Sequence, residues 1–193
     1  MCIISSKIRR DDALSHEKTK SISFRLPEEL IADIHTEAQL NDVPPNVLVH
    51  KILERYTRWD SNATKAGFVP ITKGLIKELF DKISDKEVVE IAERVERKEF
   101  ADITLLLRNE FNIESVFDII EMRARVSGYP FRYEVKGKMH SFVIQHDLGP
   151  KWSLYLATRY KAAFEDVGLT NFKFRTAANT IQFDVIIESN PSK

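Results

Sequence analysis

Cys2 is the lone cysteine of the chain. A single thiol cannot close an internal disulfide, and it cannot build a cysteine-rich metal cluster. Charge of one sign is not in excess either: 29 Lys and Arg offset 29 Asp and Glu, for a formal net charge of zero. The chain therefore has no global basic field to steer it onto a polyanion, and any recognition by charge has to be local. No apolar run is long enough to span a bilayer, and the apolar opening at Met1 to Ile4 is too short for a secretory core, so a soluble cytoplasmic protein is expected. Gly-rich phosphate loops, a nucleophile elbow and carboxylates at metal spacing are also missing. The sequence thus offers no motif for an enzyme and implies no cofactor. What is present is length: 193 residues, 43% of them hydrophobic, can bury a real core in one large domain or two small ones.

Residues 1–19 mix Lys7, Arg9, Arg10 and Lys18 with Asp11, Asp12 and Glu17 and keep no period, which reads as a flexible arm of both charges. Pattern begins at Lys20. From Ser21 to Leu26 the apolar Ile22, Phe24 and Leu26 alternate with Ser21, Ser23 and Arg25, the period of a half-buried strand that Pro27 stops. A helix is expected from about Glu28 to Leu40, with Leu30, Ile31, Ile34 and Ala38 to one side and acids in its first turn. After Asn41-Asp42-Val43-Pro44-Pro45, a second helix is expected to about Trp59, its apolar face made by Val49, Ile52, Leu53 and Tyr56. A single short strand leaves its backbone groups unpaired, and nothing nearby supplies a second one. The simplest partner is the same segment of another copy of the chain.

Strand, Leu26-Pro27-Glu28-Glu29, helix, short turn, and a helix carrying Leu53-Glu54-Arg55-Tyr56 resemble the ribbon-helix-helix family of DNA-binding proteins, of the Arc and methionine repressor type. The resemblance covers residues 20–60. It implies a homodimer whose two strands form an intermolecular ribbon in the major groove of double-stranded DNA. The dimer core would be Ile22, Phe24, Leu26, Leu30, Ile34, Val49, Ile52, Leu53 and Tyr56. Ser21, Ser23 and Arg25 would touch base edges, Arg25 by a two-pronged bond to guanine. Phosphate contacts would fall to Lys18, Lys20, Asn46, Val47 and Lys51. The family anchors a phosphate on backbone N–H groups at the start of its second helix, and here the sequence departs, because Pro44 and Pro45 bring no N–H. The function implied is a transcriptional regulator, a repressor by type. The alternative is an antitoxin-like interaction module whose DNA binding serves autoregulation.

The small polar stretch 61–68 reads as a linker. A helical segment follows over 69–127. Ile71, Leu75, Ile76, Leu79, Phe80 and Ile83 repeat at helical spacing; Ser84 and Glu87 form a capping-box signature ahead of Val88, Ala92 and Val95; Phe100, Ile103, Leu106 and Leu107 suggest a further helix. Asn112 is a plausible N-cap for the next, which Ser127-Gly128 closes. The period then becomes two. Residues 128–193 read as an α+β domain packed with 69–127: a hairpin around Gly137-Lys138, a helix from Gly149-Pro150 to Gly168, and a second hairpin around Ala178-Asn179. Phe131, Tyr133, Phe142 and Ile144 match Phe172, Phe174, Phe183 and Val185 at an offset of ~41 residues, which suggests a duplicated helix-strand-strand unit sharing one antiparallel sheet. Such a domain would oligomerise the chain or sense a small-molecule effector. His140 and His146 share a strand face with Phe142 and Ile144, and His146 precedes Asp147. They are weak metal or acid-base candidates, since histidines on an apolar face are more often packed residues.

Overall fold

The computed structural model describes residues 20–187, and the arm 1–19, with Lys18, lies outside them. The chain divides into two compact units that meet in sequence between Thr57 and Arg58. Among the described residues it is an α+β protein, with seven α-helical segments and one four-stranded antiparallel sheet. No described helix is long and apolar enough to cross a membrane.

The first unit holds helices α1 (Glu28–Leu40) and α2 (Pro45–Arg55), with Asp42 at positive φ in the turn between them. The second helix ends four residues before the Trp59 expected from the sequence, because the backbone widens into a π-helical turn over Tyr56–Asp60. In the single chain, residues 20–27 form no strand.

The second unit begins with a short helix, α3 (Ser61–Ala63), where the sequence suggested a linker. Trp59 is buried there, with its ring 4.8 Å from that of Phe68. After α4 (Lys73–Lys82) comes α5 (Asp85–Arg108), one helix of 24 residues in place of the two suggested by the pattern. Nothing between Val95 and Phe100 breaks it: that stretch has no Gly, no Pro and no capping residue. The Ser84 and Glu87 capping box is formed, and the helix stops at Asn109, which takes the left-handed conformation. Glu87 is held below the usual carboxylate range by its bonds to Ser84. Asn112 caps α6 (Ile113–Val126) by accepting from the Ser115 N–H at 2.9 Å.

The sheet follows: β1 (Phe131–Lys136), β2 (Met139–Gln145), helix α7 (Pro150–Asp166), β3 (Phe172–Ala177) and β4 (Thr180–Ile186), in spatial order β1-β2-β4-β3. Its registers repeat. Phe131 pairs with Ile144 as Phe172 pairs with Val185, and the central partners Phe142 and Phe183 are each other's equivalents. A pseudo-twofold axis therefore passes between these two rings, stacked 4.7 Å apart. Tyr133 stacks on Phe142 at 4.4 Å and Phe174 lies 5.2 Å from Phe183, which completes a row of four aromatic rings across all four strands. Phe117 of α6 and Phe164 of α7, 5.9 Å apart, cover that row from above. The opposite sheet face is polar, where Asp184 accepts from Ser141 at 2.7 Å and pairs with Arg175 at 3.0 Å.

Phe183 is fully buried at the axis. Phe183→Ala should cost about 3 to 5 kcal/mol in chemical denaturation, whereas exposed Lys161→Ala on α7 should stay within about 0.5 kcal/mol of the parent chain.

Candidate nucleic-acid interface

The residues assigned to base and phosphate contact, other than Lys18, all belong to the first unit. Lys20, Ser21, Ser23, Arg25, Asn46 and Lys51 are exposed, and Val47 is half-buried. The turn before α2 departs from a side-chain cap as its prolines require: Pro44 is the N-cap, Pro45 is the first helical residue, and no side chain accepts from the first turn. The Val47 N–H donates to the Pro44 carbonyl at 3.0 Å, and the Leu48 N–H to the same oxygen at 3.1 Å. Of the two backbone donors assigned to phosphate, Val47 is thus already engaged within the chain.

The assigned dimer core shows the same unit from its apolar side. Ile34 and Val49 are half-buried, while Ile22 is 74% exposed, Phe24 58%, and Leu26, Leu30, Ile52, Leu53 and Tyr56 are exposed. Among the described residues of this unit, Ala38 is the one buried side chain. The alternation from Ser21 to Leu26 is therefore not expressed as an inside and an outside within one chain.

The two histidines are placed differently. His140, half-buried, sits with Nδ1 2.6 Å from the Tyr133 hydroxyl, its ring 5.3 Å from that of Phe117. Desolvation lowers its pKa, against the pull of Glu114. His146 is fully buried just past β2. Its Nδ1 accepts the Leu148 N–H at 3.1 Å, so a neutral ring must carry its proton on Nε2, 2.8 Å from the Ser153 hydroxyl. That hydroxyl in turn donates to the Ala177 carbonyl at 2.7 Å. The protons thus run in one direction, from the Leu148 N–H to the imidazole, from the imidazole to the Ser153 hydroxyl, and from that hydroxyl to the Ala177 carbonyl. The arrangement is opposite to that of a base withdrawing a proton from serine, and it ties the end of β2 to the start of α7 and the β3–β4 turn. Among the described residues, no three His, Cys, Asp or Glu side chains gather as a metal would require.

Sequence reasoning missed one cluster. Asp118 on α6 accepts from Arg58 at 2.6 Å and from Arg108 Nε, and Arg108 also donates to the Arg58 carbonyl at 3.1 Å. The three residues are widely separated in the chain, and no local spacing announces them. Ser153, the partner of His146, was equally silent, since a serine on a helix has many uses.

No family model matches the chain, and no curated protein matches it significantly.

Burial moves the pKa of His146 from 6.5 down to about 4. Between these values the unfolded chain binds more protons than the folded one, so stability falls as the pH drops through that window, by an amount on the order of 3 kcal/mol for this residue. Denaturation curves at pH 7 and pH 4.5 should show that loss, and His146→Gln should remove most of the difference while being less stable at pH 7.

Proposed function

We propose that the chain is a homodimeric, sequence-specific DNA-binding regulator of transcription, in which residues 21–26 of two copies pair as an antiparallel ribbon. The observation that supports this reading best is the first unit's lack of an interior of its own. Two helices that bury one alanine cannot offset the conformational entropy of ordering about forty residues. The side chains left exposed, Ile22, Phe24, Leu26, Leu30, Ile52, Leu53 and Tyr56, are those that a second copy would cover. Pairing two segments 21–26 would satisfy both rows of backbone groups and turn Ile22, Phe24 and Leu26 together onto the helices. Ser21, Ser23 and Arg25 would then share the outward face.

On this reading the ribbon specifies and the flanks position. Arg25 supplies the planar fork that reads guanine, and the serine hydroxyls accept or donate with less selectivity. Lys20, Lys51 and the Asn46 amide hold the backbone, and the second unit assembles or regulates the dimer.

Enrichment from a pool of random duplexes should yield a two-part site, and gel shifts on it should weaken steeply with salt. Arg25→Ala should lose about 1 to 3 kcal/mol of discrimination at one base pair, while Lys51→Ala should weaken all sequences alike and shorten the salt slope by about one ion. Phe24→Asp should give a monomer in light scattering and no binding. Retention of full sequence preference by the double variant Ser23→Ala, Arg25→Ala would overturn the assignment.

A further inference from the structure

The sheet of the second unit is covered on one face and open on the other. With the aromatic row turned towards the helices, alternation puts Arg132, Glu134 and Lys136 of β1 and Lys173 and Arg175 of β3 on the open face. None of the side chains on that face is buried, so no described element lies over it. Its charges are uneven. Four cations, Arg132, Lys136, Lys173 and Arg175, stand against two acids, Glu134 and Asp184, in a chain whose net charge is zero. Glu134 lies 3.7 Å from Arg132 and 3.6 Å from Lys136, and Asp184 lies 3.0 Å from Arg175. Ion pairs this open to water hold their partners weakly, so the cations remain able to turn to another anion.

We propose that this face is a second contact for double-stranded DNA, binding phosphates of the duplex that the ribbon reads. The proposal rests on the DNA-binding reading of the first unit. Charge and geometry both favour a polyanion. The cations do not converge on one point, as a site for a single phosphate requires, but lie along the two outer strands. Arg132 and Arg175 end one cross-strand row, through Val143 and Gln182. Three strand spacings separate them by ~14 Å, close to the ~12 Å width of the major groove, so each guanidinium can reach one of the two backbones that flank it. A second copy of the sheet fits less well. The middle of the face holds Ser141, Asp184 and Gln182 beside the one aliphatic side chain of these rows, Val143, whereas a protein interface concentrates apolar residues at its centre. Contacts of this kind add affinity and orientation without reading sequence.

The test follows the full chain by anisotropy across a salt series, on a labelled duplex carrying the enriched site and on one of scrambled sequence. Arg132→Ala with Lys173→Ala should lose roughly tenfold or more in affinity on both duplexes and flatten the salt slope by about two ions per bound chain, with the preference between the duplexes unchanged. Lys86→Ala with Lys161→Ala removes the same charge from exposed positions of α5 and α7 and should change neither quantity. The charge-preserving Arg132→Lys with Lys173→Arg should bind as the parent does, and equal melting temperatures would show that each variant is folded. If the sheet variant binds like the helix variant while Arg25→Ala and Lys51→Ala still weaken binding, the sheet contact is overturned and the ribbon stands. If the sheet variant alters the oligomeric state in light scattering and leaves the salt slope intact, the face joins copies of the chain and the sheet contact is again overturned. A parent chain that binds neither duplex overturns both readings.

Discussion

A row of four aromatic rings, Tyr133, Phe142, Phe183 and Phe174, holds the second unit together, and most of its other features follow from having to cover it. A row of aromatics across a sheet is a flat, wide apolar strip. One helix cannot shield it, whereas two helices side by side, each contributing a phenylalanine, can. Phe117 and Phe164 do this, and their helices must then lie close together over the axis. The 24-residue α5 and the short α4 pack around α7 in turn, and Arg159 of α7 rests its guanidinium 5.1 Å from the Phe100 ring of α5. A buried charge is tolerated there because an aromatic face attracts a cation.

How much of this could be read from the sequence depended on whether the deciding contact was local. The hairpins, their turns and the ~41-residue repeat were legible, because a period of two between turn residues fits little besides a hairpin. The ends of α1 and the start of α7 were legible too, from Pro27 and from Gly149-Pro150. Places where geometry is set at a distance were not. The π-helical turn at Tyr56–Asp60 interrupts a residue run whose periodicity continues smoothly, and the fusion of two apparent helices into α5 depends on the absence of a stop signal, which is weaker information than its presence. His146 was legible as a packed residue in outline, but the direction of its hydrogen bonds depended on Ser153 and Ala177, beyond the reach of spacing rules.

The two units make opposite use of their apolar residues. The second folds its aromatics inward, and exposed apolar side chains such as Leu75 and Leu79 of α4 are exceptions in it. In the first, exposure is the rule, and residues of strand-like and helix-like pattern alike lie open. A segment with an amphipathic pattern and no interior carries half of an interface in its sequence. The proposed pairing of residues 21–26 enters the sequence only as a need, since a ladder between two copies would have no trace in the spacing of one.

The near-repeat also has an exception at each of its histidines. In the second hairpin, Ile181 and Ile187 hold the places that His140 and His146 hold in the first, and Phe174 replaces Tyr133. Two alike hairpins beneath two alike helices could in principle change places during folding, since the aromatic row would form either way. The exchanged arrangement would separate Tyr133 and His140 from Phe117 and Glu114, and would deny His146 the hydroxyl of Ser153. The two hairpins are thus alike in their aromatic row and unlike at these positions, where only the first carries imidazoles and each is tied to one particular helix.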